Sequence, residues 1–504
     1  MVGAAPRPTA WREQTVAVAF DGKSRRGNLS LDDAETGGRF LIVPGMRPSP
    51  VLLPVLFLLR GILAQDPPAF AEQVDRLCNP LVAADVAVGF VVGVIDGETE
   101  FVRGYGRLAQ QSEERPGAQT IYEIGSVSKV FTGLLLADAV QRGLTALDDP
   151  VQKHLPEGVA MPAFEGKPVL LWHLSTHTSG LPRLPDMKGF DPQDPYAHFT
   201  PERLFEALGD VRVRWEPGSK YEYSNLAVGL LGAVLVRVNK LGSYDELLRA
   251  RILVPLQMKD SGVALDEAQQ KRLAPPHDAD GEPDHTWDLA ALAGAGGIRS
   301  TVPDMLKFAR AELTGPEVLC KAIELSQQKR HDGANGIAVA LGWHFAKDGE
   351  TLWHNGQTGG YHGFLGVQPA RRRAVCILAN TARGEFDAIG DRILQHLAGV
   401  KVEPLPIETP VAVERAVLQR YVGKYRMSPK QVFDLTLRER GLFAQLTGQP
   451  ACRLYSRSAT EFFYRVVEAS ITFELEGDAV TGLVLHQNGR DMRCSRLPAD
   501  GADK

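Results

Sequence analysis

The stretch Ile124-Gly125-Ser126-Val127-Ser128-Lys129-Val130-Phe131 decides the reading of this chain. It opens a helical pattern that runs to about Arg142, with Val130, Leu134 and Ala137 on one face and Gly143 ending it. A serine hydroxyl is a poor nucleophile until a neighbouring group takes its proton. Residues three apart in the first turn of a helix share a face, so Lys129 can reach Ser126. The free backbone N–H groups of a helix start also suit developing negative charge. By itself Ser-x-x-Lys is a weak pattern, and Ser126 is equally readable as a helix cap.

Two further segments change its weight. Pro217-Gly218-Ser219-Lys220-Tyr221-Glu222-Tyr223-Ser224-Asn225 stands at the mouth of the next apolar helix, at 226–239. A tyrosine two residues before an asparagine can aim a phenol and a carboxamide into one cleft. Trp353-His354-Asn355-Gly356-Gln357-Thr358-Gly359-Gly360 puts a cation-capable residue on a strand that ends in glycines. Glycine there lets another backbone lie against the strand edge.

Together and in this order, the three segments resemble the serine β-lactamases and penicillin-binding proteins. The Tyr-x-Asn form is nearest to the class C β-lactamases, D-amino-acid peptidases and related esterases. Leu174-Ser175-Thr176-His177-Thr178-Ser179-Gly180-Leu181-Pro182 and Gly294-Ala295-Gly296-Gly297-Ile298-Arg299-Ser300-Thr301 also look like segments common in that family. The resemblance implies that Ser126 attacks a carbonyl while Lys129 and Tyr223 share the proton traffic, with Tyr223 near phenolate character as the base. It implies that Asn225 orients a substrate amide and that the backbone N–H groups of Ser126 and Gln357, next to Gly356, form an oxyanion hole. His354 stands where most relatives keep a lysine, so modest selectivity for anionic substrates is expected. Neither cofactor nor metal is expected. His173 and His177 have the spacing of a zinc-protease pair, but Leu174 replaces the glutamate base. No Gly-x-Ser-x-Gly elbow or phosphate-binding glycine loop occurs.

Around this centre the strands fall at both ends of one segment. Val86–Ile95 and Glu100–Tyr105 read as a hairpin, and Leu352–Asn355, Gly363–Gln368 and Ala374–Asn380 follow late, with helical patterns at 201–209 and 303–313 between. An α+β domain at 66–399 follows, an antiparallel sheet flanked by helices plus a helical subdomain. A Pro-rich linker is expected at 400–414. Alternation in Phe433/Leu435/Leu437 and Ile471/Phe473/Leu475 predicts a small antiparallel β-barrel, lipocalin-like, at 415–498.

The 504 residues carry a net charge of -5, with both signs dispersed, which excludes a nucleic-acid face. Five scattered cysteines suggest neither a zinc site nor a disulfide framework. Residues 1–45 show no sustained period and read as an upstream extension. Met46-Arg47 and the apolar run Val51–Leu59, ending near Ala64, have the parts of a secretory signal at 46–65, too short and interrupted by Arg60 for a stable span. The expected location is periplasmic or secreted. The expected activity is hydrolysis of small amides or esters through an acyl-enzyme: D-amino-acid peptides, esters or β-lactams. The alternative is a non-catalytic ligand-binding protein of penicillin-binding type.

Overall fold

Residues 88–96 are almost all apolar, and burial on both faces makes them a central strand rather than an edge. In the computed structural model, which describes residues 67–187, 189–191, 193–333 and 336–498, this run is β1 (Gly89–Asp96). It turns at Asp96-Gly97 into β2 (Thr99–Gly106), as the hairpin signal predicts. A two-stranded ladder of β3 (Tyr122–Glu123) and β4 (Arg299–Ser300) follows, then β5 (His331–Asp332), β6 (Ala338–Val339) and β7 (His344–Phe345). The late strands are β8 (Leu352–Gln357), β9 (His362–Gln368) and β10 (Arg373–Ala379).

The main sheet runs β2-β1-β10-β9-β8-β7-β6-β5. The N-terminal hairpin joins the C-terminal strands through the antiparallel pair Val92↔Ile377. The sheet is therefore assembled from the two ends of the domain, as expected, and the helices between them cover it. Helices Ser128–Gln141, Asn225–Val238 and Val302–Thr314 pack into one apolar core with Val91, Ile95 and Leu378. Helices Ala71–Ala83 and Glu385–Leu397 cover the other face, against Phe90, Val92 and Phe364. The helix Glu385–Leu397 and the short strands β5–β7 lie outside the sequence expectation. Strands of two residues carry too few positions to show alternation.

The helix expected to start at Ser126 begins instead as a 3₁₀ turn, Gly125–Val127, with the α-helix proper at Ser128–Gln141. No side chain caps that turn, so the capping role open to Ser126 is not the one it fills.

The C-terminal part is a nearly closed nine-stranded antiparallel barrel. Its strands are β11 (Gly423–Ser428), β12 (Gln431–Arg438), β13 (Gly441–Leu446), β14 (Ala451–Arg453), β15 (Tyr455–Ser456), β16 (Glu461–Phe463), β17 (Ala469–Glu476), β18 (Ala479–Gln487) and β19 (Arg490–Arg496). They run in sequence order with β11 paired to β19. Side chains fill the interior, with Tyr421 stacked on Phe473 at 3.8 Å between ring centroids. That packing leaves a core where a lipocalin keeps a ligand space.

The segment 400–414 is ordered along its length. Val402 is buried, Leu405 and Ile407 pack on the core, and Gln73 Nε2 donates to Val402 O at 3.1 Å. The described residues from 67 to 498 belong to one compact unit. Arg440 Nη2 and Arg453 Nη1 of the barrel meet Asp85 Oδ2 at 2.9 and 2.8 Å. Arg465 donates to the carbonyls of Asp85 and Ala84 and lies 4.0 Å over the Tyr455 ring. All five cysteines are free, and Cys78, Cys376 and Cys494 are buried. The predicted signal at 46–65 and the extension at 1–45 lie outside the described residues.

Asp85 has a φ of 55°, which asparagine tolerates. Asp85→Asn should therefore remove the charge without straining the turn, leaving two largely buried guanidinium groups short of a partner. A loss of about 2 kcal/mol is expected, read as a lower melting temperature. Unchanged melting would show that the barrel contact contributes no net stability.

Candidate active site

Two glycines bring the serine turn against the sheet. Gly125 has a φ of 52°, and a Cβ there would stand 2.6 Å from the Gln357 nitrogen. A Cβ on Gly356 would stand 2.0 Å from Ile124 O and 2.7 Å from the Ser126 nitrogen. The two backbones therefore lie in direct contact, which only glycine on both sides permits. The backbone nitrogens of Ser126 and Gln357 are thereby brought to the same small region.

Lys129 is completely buried. Its Nζ donates to Ser126 Oγ at 2.8 Å and to Ala295 O at 2.5 Å. No carboxylate pairs with it among the described residues. Burial, and next the charge of Arg183, hold its pKa well below the ordinary lysine value, so the neutral amine is favoured.

Tyr223 and Asn225 flank Ser224, which is extended (φ −133°) and caps the helix Asn225–Val238 through its hydroxyl. Residues two apart on extended backbone point the same way, which brings phenol and carboxamide to one side. The Lys129 Nζ is 4.8 Å from the centre of the Tyr223 ring, and the phenol interacts with Ser126. Asn225 Oδ1 is buried and has no hydrogen-bond partner. Phenolate character at Tyr223 was the expectation. Burial instead pushes its pKa up to about 12, against smaller lowering effects from Ser126 and Arg183. Electrostatically, the lysine is the better base of the pair.

His354 is fully buried, on the face of β8 that Gly356 also occupies. Its Nδ1 is 2.5 Å from Asn355 O, and its Nε2 has no partner. Burial, then His344 and Lys129, hold its pKa well below the ordinary histidine value, so the ring is neutral. Gln357 is exposed at the cleft, which Ser126, Asn225, Trp287, Leu289 and Thr358 also line. Of the seven sequence-predicted residues, Ser126, Asn225 and Gln357 line the cleft, and Lys129, Tyr223, His354 and Gly356 are joined to them from behind by contact. A larger apolar groove of about 1070 Å³, lined by Phe205, Val236, Leu241 and Tyr244, contains none of them.

Several site residues were not singled out from the sequence. His177 (φ 59°) accepts the Ser224 N–H on Nδ1 and stacks 4.3 Å from Tyr223, so the Leu174–Pro182 segment braces the Tyr-x-Asn segment. Its Glu222-side contact is a backbone bond, Glu222 N to His177 O at 2.8 Å. His344 bonds Tyr221 through Nε2 at 2.9 Å, and burial lowers its pKa to about 4. The Gly294–Thr301 segment supplies the Ala295 carbonyl to Lys129 and Arg299 to the buried Glu123. Asp387 holds Asn355 at 2.6 Å and His362 at 2.7 Å behind β8. Two of these segments were visible as family-like stretches; the single residues carried no local signal. His173 does not join His177 in a metal site: it accepts the Leu170 N–H on Nδ1, and no group suited to a metal occurs among the described residues.

The family model described as Beta-lactamase matches residues 74–400, and a domain of unknown function matches 408–496. The chain is 33% identical over 249 residues to the D-alanyl-D-alanine-carboxypeptidase/endopeptidase AmpH of Escherichia coli, covering 49% of this chain and 63% of that protein. It thus spans less than two thirds of that relative's length. It is 30% identical over 283 residues to a Beta-lactamase of Escherichia coli, covering 55% of this chain and 71% of that protein. Among solved structures, a β-lactamase/D-alanine carboxypeptidase from Yersinia pestis complexed with citrate aligns at a TM-score of 0.57 and 26% identity, over 65% of this chain and 99% of its own. A penicillin-binding protein homologue from Pyrococcus abyssi shares the fold at a TM-score of 0.59 and 22% identity, over 84% of this chain and all of its own.

A lysine that acts as base must be unprotonated, so activity is present above its pKa and lost as pH falls through it. The acid limb of kcat/KM should therefore level off well below 10.5, the ordinary lysine value. Lys129→Arg, which stays charged, should lose at least about a hundredfold. A rate that climbs until the ordinary lysine pKa would show that Lys129 is a charged group in the free enzyme.

Proposed function

The chain belongs to the Beta-lactamase family, and we propose that it hydrolyses small amides or esters through an acyl-enzyme on Ser126. The observation that carries this reading is the 2.8 Å contact between Ser126 Oγ and the Nζ of a fully buried lysine. Ser126 Oγ bonds to the substrate carbonyl carbon while its proton passes to the Lys129 amine. The carbonyl oxygen takes the negative charge between the N–H groups of Ser126 and Gln357. Tyr223, a protonated phenol, hands its proton to the leaving amine or alcohol and regains one from Lys129. Water then attacks the ester by the reverse route, releasing the acid and restoring Ser126. Asn225, with its free Oδ1, accepts the N–H of a substrate amide. Gly356 keeps the strand edge open, and His354 floors the site as a neutral ring.

D-amino-acid peptides of cell-wall turnover and simple esters are the proposed substrates, with β-lactams as slower acylating agents. The names of the relatives, a carboxypeptidase/endopeptidase and a β-lactamase, support this class. No cofactor or nucleic acid takes part. Residues 66–399 are proposed as the catalytic domain and 415–498 as a non-catalytic barrel. Export to the periplasm or medium, by cleavage near Ala64, completes the proposal. No helix among the described residues is long and apolar enough to cross a membrane.

Ser126→Ala should abolish covalent labelling and turnover. Its stability should stay within about 1 kcal/mol of wild type, because the side chain caps nothing. Intact-protein mass spectrometry after exposure to a fluorophosphonate and a penicillin provides the test. Labelling that survives in Ser126→Ala would overturn the assignment. A wild-type protein that binds penicillin without an adduct would favour the ligand-binding alternative.

A further inference from the structure

On its strand side the cleft offers no positive charge. His354 is buried and neutral, and Lys129 is uncharged whenever it acts as base. The opposite rim is different. Arg183 is exposed there, with its guanidinium 5.1 Å from the centre of the Tyr223 ring, which Lys129 Nζ approaches to 4.8 Å. Its charge also acts on Tyr196, which lines the cleft beside Ser126, and on Tyr221. The side chain therefore overhangs the site rather than pointing away from it.

The backbone of Arg183 is fixed to the recognition element itself. Its carbonyl accepts the N–H of Asn225 at 2.9 Å and of Leu226 at 3.2 Å. Among the described residues no carboxylate forms an ion pair with Arg183. Three acidic groups around the site are engaged elsewhere: Glu123 with Arg299, Glu222 with Arg214 and Asp387 with His362. Two recognition groups thus stand side by side at the start of one helix: a buried amide oxygen without a partner and a guanidinium without a counter-ion. A guanidinium binds a carboxylate with two parallel, charge-assisted hydrogen bonds.

We propose that Arg183 is the carboxylate anchor of this site, so that preferred acyl donors carry an amide N–H held by Asn225 and a free carboxylate held by Arg183. This rests on the acyl-transfer reading of Ser126. It places the charge recognition on the loop after Pro182 instead of on β8.

The test compares two D-alanyl depsipeptides that differ only at the end, one a free carboxylate and one a carboxamide. Wild-type kcat/KM should favour the carboxylate, and added salt should erode that preference. In Arg183→Gln the ratio of the two should fall by about tenfold to a hundredfold, mostly through KM. Arg183→Lys should restore part of it. An unchanged ratio overturns the proposal. So does an equal fall for both donors with a displaced pH profile, which would make Arg183 a modulator of Tyr223 and Lys129 rather than an anchor. Fluorophosphonate labelling of Ser126 is run on the same proteins. If Arg183→Gln labels normally while the ratio stays flat, the anchor alone fails. If wild type neither labels nor needs Ser126, the acyl-transfer reading fails and the anchor falls with it.

Discussion

The burial of Lys129 without a counter-ion is the constraint around which the site is arranged. An ammonium taken from water into an apolar interior loses far more solvation than two neutral acceptors can return, so the group discharges instead. The neutral amine is then held by Ser126 Oγ and Ala295 O, both of which it can reach without a charge. The neighbouring histidines follow the same logic. His177, His344 and His354 are all buried and all held below the ordinary histidine value. A second lysine on β8 would add a cation beside the first. A neutral imidazole at His354 fits the strand position without raising the charge of the cavity. The cost is that β8 contributes no full charge to substrate recognition.

Position follows from backbone contact as much as from side chains. The Ser126 turn touches β8 through Gly125 and Gly356, so the depth of Ser126 is set by the sheet. Behind the strand, Asp387 ties Asn355 and His362, which sit on neighbouring strands, and so resists sliding of β8 against β9. On the other side the His177 ring accepts the Ser224 N–H, and the carbonyls of His177 and Arg183 accept the N–H groups of Glu222 and Asn225 that bracket it. Ser224 thereby stays extended until the helix begins at Asn225. Ser126, Tyr223 and Asn225 are thus held from three directions by elements far apart in the chain.

That separation explains what the sequence could and could not show. Ser126 and Lys129 are legible because three residues make a helical turn, and Tyr223 with Asn225 because two residues make an extended step. The sheet was legible from its long apolar strands, β1 and β10 above all. His344, Arg183 and the Ala295 carbonyl are contributed by contacts across the fold, and a carbonyl leaves no mark in residue type. The base assignment also depended on burial. A phenol near a lysine reads as an incipient phenolate, until the enclosure of both reverses the preference. The ordered 400–414 segment looked like a linker because proline suits an extended strap as well as a loose one.

The barrel raises a question of economy in structure rather than chemistry. Its interior is filled with aromatic and aliphatic side chains, Tyr421, Phe462 and Phe473 among them. What it directs outward to the Beta-lactamase-family part of the chain is a group of arginines, Arg440, Arg453 and Arg465, aimed at Asp85 and its carbonyl neighbour. Asp280, buried on the same side, accepts the Arg453 N–H at 2.9 Å, and Arg440 donates to its carbonyl at 2.6 Å. Two backbone bonds lead on from that region: the His277 N–H donates to Gly360 O in the turn between β8 and β9, and the Ala382 N–H, just past β10, donates to His277 O. Gly360 closes the loop that leaves Gln357. The barrel's bonds to Asp280 thus lie three residues from His277, whose own bond to Gly360 bears on the turn that follows Gln357, so the packed barrel and that turn share one stretch of chain.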